Sequence, residues 1–352
     1  MTAIDELMRQ DSDEFNKDVF LNAVNEALEK WRENKLYSKR LDRKDLPEKI
    51  ESFEDLKKLP TVDMREFKEH PEKLAIDEEK QEHALYSSGT TSNSKSIARA
   101  SEEGFQRHKE IVQKFSNFVL PEIDFTAMLM PSQETLNQLP EDKANRSVFK
   151  YASWIFEPYE TKSFLQLSEE GFEPEVEEMV KELKSREGDL AIFSTPAALL
   201  KIMKKLKKQG SSIDMGENGT IITGGGWKGE AKAGKEEFRG LLKRVFGIEN
   251  QEHLDLYGCT ELYFGAANRY RDKNPDLKRI SSKGYIWVAD EDKFRKTGEL
   301  KPVEEGEEGL MVGLDPCNTD YPGVILTDDI VRKTGGEYSE ETRIEYVGRS
   351  SK

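Results

Sequence analysis

Apolar residues near the start of the chain recur at three- and four-residue spacing: Phe15, Val19, Phe20, Ala23, Val24, Ala27, Leu28 and Trp31. That period predicts a helix with one packing face. From Leu46-Pro47 to Leu59-Pro60-Thr61-Val62-Asp63, prolines interrupt the pattern, which predicts short helical pieces. Beyond residue 80 the period changes. Residues 124–130 and 189–194 are apolar runs too short for core helices and read as buried strands, whereas residues 173–184 place Val176, Met179, Val180 and Leu183 on one helical face. Thr195-Pro196 opens another helix, with Leu199, Leu200, Ile202, Met203 and Leu206 inward and Lys201, Lys204, Lys205, Lys207 and Lys208 on the solvated side. Short strands follow at 219–223 and 253–257, then at 284–289, 309–314, 323–327 and 343–347. The alternation predicts an α/β fold of helix-covered sheets with a small strand-rich, barrel-like subdomain. Three segments are expected: a helical entrance at 1–80, an α/β nucleotide- and acyl-binding core at 81–283, and the strand-rich part at 284–352.

Three polar interruptions of this pattern suggest chemistry. Residues 86–96 read Tyr-Ser-Ser-Gly-Thr-Thr-Ser-Asn-Ser-Lys-Ser. Backbone N–H groups and hydroxyls in such a loop can wrap an anion while Lys95 adds a point charge, although an isolated run of this kind can also be an ordinary polar turn. The following residues, 96–100, read as the second arm of a hairpin. After the strand at 219–223 comes Gly224-Gly225-Gly226-Trp227-Lys228, where three residues without Cβ let a flat ligand lie on the main chain. Trp227 can stack on a base or simply pack. Tyr257-Gly258-Cys259-Thr260-Glu261 ends a strand and is expected to turn into a helix, which sets Tyr257 and Glu261 at a strand end, where α/β sheets place ligand groups.

Composition narrows the possibilities. Lys and Arg total 54 against 69 Asp and Glu, a net charge of −15, which argues against nucleic-acid or anionic-membrane binding. The two cysteines, Cys259 and Cys317, make no disulfide framework or zinc pair, and the four histidines are scattered. No apolar run approaches the ~18 residues of a membrane span, and the amino terminus lacks a basic stretch followed by an apolar core, so a cytoplasmic location is expected.

In order and spacing these stretches resemble the adenylate-forming superfamily of acyl-CoA synthetases, aryl-CoA ligases and peptide-synthetase adenylation domains. Residues 86–96 look like its phosphate-binding signature, with Asn93-Ser94 in place of the usual glycine-x-proline. Tyr257-Gly258-Cys259-Thr260-Glu261 matches the adenine, phosphate and magnesium motif. Thr327-Asp328-Asp329 stands where the superfamily has Thr-Gly-Asp, and Gly348-Arg349 looks like the start of the hinge motif. A narrower resemblance, through Ile222-Thr223-Gly224-Gly225-Gly226-Trp227-Lys228, Gly309-Leu310-Met311, Tyr321-Pro322 and Leu326-Thr327-Asp328-Asp329-Ile330, is to the acyl-protein synthetase (LuxE-type) family. Its best-known members activate fatty acids for the reductase that feeds bacterial luciferase. The stretch up to Leu59-Pro60-Thr61-Val62 is also similar to phenylacetate-CoA ligases.

The resemblance implies ATP-dependent activation of a fatty or other carboxylic acid to an acyl-adenylate, then acyl transfer to a thiol, with ATP and Mg²⁺ as cofactors and CoA as a candidate acceptor. By the same resemblance Ser87, Ser88, Gly89, Thr90, Thr91, Ser94 and Lys95 hold the outer phosphates, Thr260 touches the α-phosphate and Glu261 binds Mg²⁺. Lys95, Thr260 and Glu261 are the implied catalytic residues. Gly224, Gly225, Gly226, Trp227, Tyr257 and Gly258 surround adenine, and Asp329, assisted by Arg349, takes the ribose hydroxyls. Asp328 is expected to face solvent, Cys259 to pack, and Cys317 not to be the acyl acceptor. The walls of the acyl pocket are expected from residues 125–132, 151–156 and 193–197. By the resemblance, the family's small C-terminal domain and the acyl-accepting cysteine that the luminescence enzymes carry past the hinge are expected to be absent from this chain. Two alternatives stay open: an aryl-acid CoA ligase, and a non-catalytic subunit that binds nucleotide or acyl-adenylate beside an acyl-CoA reductase or acyl carrier.

Overall fold

The alternation of apolar runs resolves, in a computed structural model, into two compact units. Residues 1–12, 14–87, 95–168, 171–225, 235–335 and 342–350 are described. One unit gathers residues 1–118, 259–266 and 276–352; the other holds 119–258 and 267–275.

In the second unit five strands run parallel in the order Glu160–Ser163, Phe125–Met128, Leu190–Ser194, Gly219–Gly224, His253–Tyr257. Strands buried on both faces need apolar side chains throughout. Leu190–Ser194 and Gly219–Gly224 are accordingly buried at every position. Their core partners come from the helices Val176–Lys184, Pro196–Lys208 and Lys235–Phe246. Thr195 caps the second of these by accepting from the Ala198 amide, and its lysines face outward as the periodicity predicts. One boundary differs from expectation. Gly171–Pro174 pairs with Leu165–Ser168 in a hairpin, so the helix starts at Val176 rather than 173.

In the first unit an antiparallel sheet runs in the order Tyr285–Ala289, Glu308–Leu314, Val324–Thr334, Arg343–Arg349, Lys278–Ile280. The helix Lys17–Trp31 buries the predicted stripe, and Trp31 donates from its indole nitrogen to the Asn318 carbonyl at 2.8 Å. Val324–Thr334 is longer than the sequence pattern suggested. Along one side its first half pairs in parallel with Val62–Asp63, through Ile325 and Leu326, while its second half, from Asp329 onward, pairs with Arg343–Arg349. Thr327 and Asp328 therefore lie where one neighbouring strand gives way to another.

Candidate functional site

His83–Tyr86 and Ile97–Ala100 form the expected hairpin, with Tyr86 opposite Ile97. It extends by one further pair, in which the Ser87 amide donates to the Ser96 carbonyl at 3.0 Å and the Ser96 amide donates to Ser87 Oγ at 2.9 Å. Ser87 thus closes the neck of the loop. Lys95 is half-buried at its far side. Ser88, Gly89, Thr90, Thr91 and Ser94 lie outside the described residues, as do Gly226 and Trp227.

No helix follows Tyr257. Residues 258–265 form a turn and loop leading to the short strand Ala266–Ala267, so Glu261 is not the helix-start carboxylate that the sequence suggested. Its backbone is held tightly. Tyr321 donates its hydroxyl to the Glu261 carbonyl at 3.1 Å, and the Tyr263 amide donates to Asp315 Oδ2 at 2.6 Å. The side chain is treated differently. Glu261 has no exposed surface, and neither carboxylate oxygen has a hydrogen-bond partner among the described residues. Burial, and secondarily the Asp329 charge, push its pKa up, while Ser96 and Lys68 pull the other way. The Ser96 hydroxyl is near enough to act on that carboxyl, yet it closes no hydrogen bond with it and is itself buried without a partner. A buried carboxylate left this way costs on the order of 1–3 kcal/mol or more unless something else supplies the missing interactions.

Asp329, buried, receives Arg349 Nε on Oδ1 at 3.3 Å, and its amide donates to Thr327 Oγ1 at 3.2 Å. Thr327 Oγ1 donates in turn to the Met311 carbonyl at 2.9 Å, which fixes this part of the strand. Asp328 does not face solvent as expected. Its side chain is only 18% exposed and meets Lys68 Nζ at 3.5 Å. Thr260 is buried beside Glu261 in the same turn. Ser87, Ser96, Glu261, Asp329, Arg349 and Lys68 all belong to the first unit. Sequence reading missed Lys68 and placed Ser96 in the phosphate-loop stretch and the hairpin arm without linking it to Glu261. Lys68 lies some 260 residues from its partner with only a helical face around it, so no local spacing marks it.

The second unit carries Gly224, Gly225, Tyr257 and Gly258. Gly225 adopts φ +87°, a conformation that disfavours any residue with a Cβ. A Cβ at Gly224 would meet Phe193 at 3.6 Å and Leu256 at 3.8 Å, and one at Gly258 would meet Tyr151 at 3.8 Å, all ordinary contacts. Packing within the protein therefore does not demand glycine at either place; Gly258 is exposed just past His253–Tyr257, whereas Gly224 is buried at the end of Gly219–Gly224.

Both thiols are silent. Burial pushes the pKa of Cys259 and of Cys317 well up, and Asp315 adds to the effect at Cys317, so little thiolate forms. The donor chemistry of Glu261 suits a hard cation such as Mg²⁺, which takes one or two carboxylates and completes its shell with water and substrate phosphates. Among the described residues no group of three or more His, Cys, Asp or Glu side chains could cage a metal alone. No helix among them is long and apolar enough to cross a membrane.

Comparison with known proteins agrees with these features. The profile of the family described as acyl-protein synthetase, LuxE, matches residues 6–352. The long-chain-fatty-acid–luciferin-component ligase of Vibrio harveyi is 28% identical over 308 residues, covering 85% of this chain and 76% of that protein. Its counterpart from Aliivibrio fischeri is 26% identical over 202 residues, 56% of this chain and 50% of that protein. Among solved structures, an open conformation of 2-hydroxyisobutyryl-CoA ligase in complex with 2-HIB-AMP and CoA superposes with a TM-score of 0.66 at 14% identity, over 95% of this chain and 69% of that one. At that identity the likeness speaks for the fold alone, an α/β arrangement shared with that ligase.

Proposed function

The chain belongs to the LuxE acyl-protein synthetase family, and we propose that it activates a fatty acid with ATP to an acyl-adenylate and passes the acyl group to a thiol outside its own chain. The observation that carries this reading is the Glu261 carboxylate, buried, without a hydrogen-bond partner among the described residues and flanked by Ser96 and Asp329. The V. harveyi and A. fischeri relatives, named as long-chain fatty-acid ligases, support the acid class.

An ionised carboxylate needs no base to attack the α-phosphorus. A new P–O bond forms to the acid, the bond between the α-phosphorus and its bridging oxygen breaks, and pyrophosphate leaves with the electron pair. The obstacle is repulsion among anions, so positioning and charge stabilisation supply most of the catalysis. Bound Mg²⁺, held by Glu261, water and phosphate oxygens, would neutralise charge on the departing pyrophosphate. Ser87 and Lys95, at the two ends of the hairpin loop, take the outer phosphates, and Thr260 the α-phosphate. Asp329 accepts from the ribose hydroxyls, with Arg349 steadying its carboxylate. By the family resemblance Gly224, Gly225, Tyr257 and Gly258 attend the adenine. In the second step an external thiolate forms the S–C bond and AMP departs. The acceptor is CoA or a thiol on an acyl-carrier or acyl-CoA reductase partner, because Cys259 and Cys317 are buried with raised pKa values.

Exchange of labelled pyrophosphate into ATP, screened over aliphatic and aryl acids, tests the first step. Exchange driven by long aliphatic acids is expected; exchange driven by aryl acids alone would replace the fatty-acid reading with an aryl-CoA ligase. A hydroxylamine-sensitive acyl adduct on Cys317 by intact mass would overturn the external acceptor.

A further inference from the structure

The superfamily resemblance expects glycine where this chain has Asp328. A carboxylate there adds a negative group next to Asp329 in the chain, the residue read above as the ribose ligand of an anionic nucleotide. Its neighbours show how that charge is managed. Lys68 reaches Asp328 Oδ2 at 3.5 Å with only 14% and 18% of the two side chains exposed, so the pair is largely shielded from water. The ammonium also acts on the Glu261 carboxyl. Arg65 also feels Asp328 and is itself paired with Asp63, Nη2 to Oδ2 at 2.6 Å.

Lys68 is mounted firmly on the strand it serves. Val62–Asp63 pairs with Ile325 and Leu326, two residues short of Asp328. The helix Met64–Glu69 starts at once, with Asp63 and Glu66 forming a reciprocal capping box. Arg40 grips Glu66 with two hydrogen bonds, one of them at 3.0 Å. Strand, cap and helix thus deliver one ammonium to the point where the long strand changes partners, next to Asp329.

We propose that Lys68 is a positioning residue for the nucleotide: by neutralising Asp328 it keeps that strand and its neighbour Asp329 in place for a ribonucleotide and removes a repulsive charge from the phosphates' surroundings. The inference rests on the nucleotide reading of the site given above.

Calorimetric titration with AMP in the absence of divalent metal tests it without requiring turnover. Lys68→Met raises the AMP Kd about tenfold, and the preference for AMP over 2′-deoxy-AMP shrinks. Lys68→Arg, which restores the charge, and the double variant Lys68→Met/Asp328→Gly, which removes the need for it, both bind within about threefold of wild type. A Lys68→Met protein that folds and binds AMP like wild type overturns the role of Lys68, and so does a double variant as weak as Lys68→Met. Wild-type protein that binds no AMP overturns the nucleotide reading itself.

Discussion

Asp315 and Glu261 are carboxylates of the same unit, neither with any exposed surface, and the protein treats them in opposite ways. Asp315 is supplied with donors: the Tyr263 amide on Oδ2 at 2.6 Å and the Cys317 amide on Oδ1 at 3.0 Å. Glu261, two residues before one of those donors, has none for either oxygen among the described residues. The first is a structural carboxylate that ties the turn at 261–263 to the loop at 315–318. The second is held in place by that tie and left open. Among the described residues one buried carboxylate is fully satisfied and its neighbour is not, which fits a role for Glu261 toward a bound group.

Removing each carboxylate separates the two roles. Glu261→Gln should lower pyrophosphate exchange by about 10²–10³-fold, while the melting temperature of the unliganded protein stays level or rises, because an unpaired buried charge is gone. A large loss of stability would mean that Glu261 is structural after all. Asp315→Ala should instead show up first as lost stability, about 2–4 kcal/mol in urea unfolding, by stranding two buried amides.

The pH profile sharpens the contrast. Burial pushes the Asp315 carboxyl up to about 7, against an ordinary value of 3.8, despite the opposing amide hydrogen bonds. Between those values the folded protein holds a proton that the unfolded chain releases, so this group's contribution to stability is complete below about 4 and is lost as pH rises through about 7. Denaturation midpoints across that window should decline in wild type, and the decline should be shallower in Asp315→Ala. The smallest effect belongs to the outward lysines of the helix Pro196–Lys208. Lys207→Gln should leave exchange within about twofold of wild type; a large loss would show that this solvated face takes part in function.

Much of the architecture was legible because it is written in local patterns. The 15-residue stripe of Lys17–Trp31, the apolar run of Leu190–Ser194 and the hairpin arms on either side of residues 87–96 each carry their own period. Tyr257 and Gly258 were placed correctly at a strand end, but the turn after them was misread as a helix start. Its geometry is set from afar, by Tyr321 and Asp315, rather than by helix-forming residues nearby. The same holds for Lys68 with Asp328 and for Val62–Asp63 with Ile325 and Leu326: pairings across some 260 residues leave no periodic trace in the sequence. Asp328, standing in for the superfamily's glycine, was expected to face solvent, and the distant Lys68 ammonium that meets it is invisible to local pattern.

The most direct test is the effect of Mg²⁺ on ATP binding, measured by calorimetry for wild type and Glu261→Gln. If the open carboxylate is kept for the metal–nucleotide complex, wild type will bind ATP more tightly with Mg²⁺ than without, and the variant will lose that gain. An equal Mg²⁺ enhancement in both proteins would contradict the account.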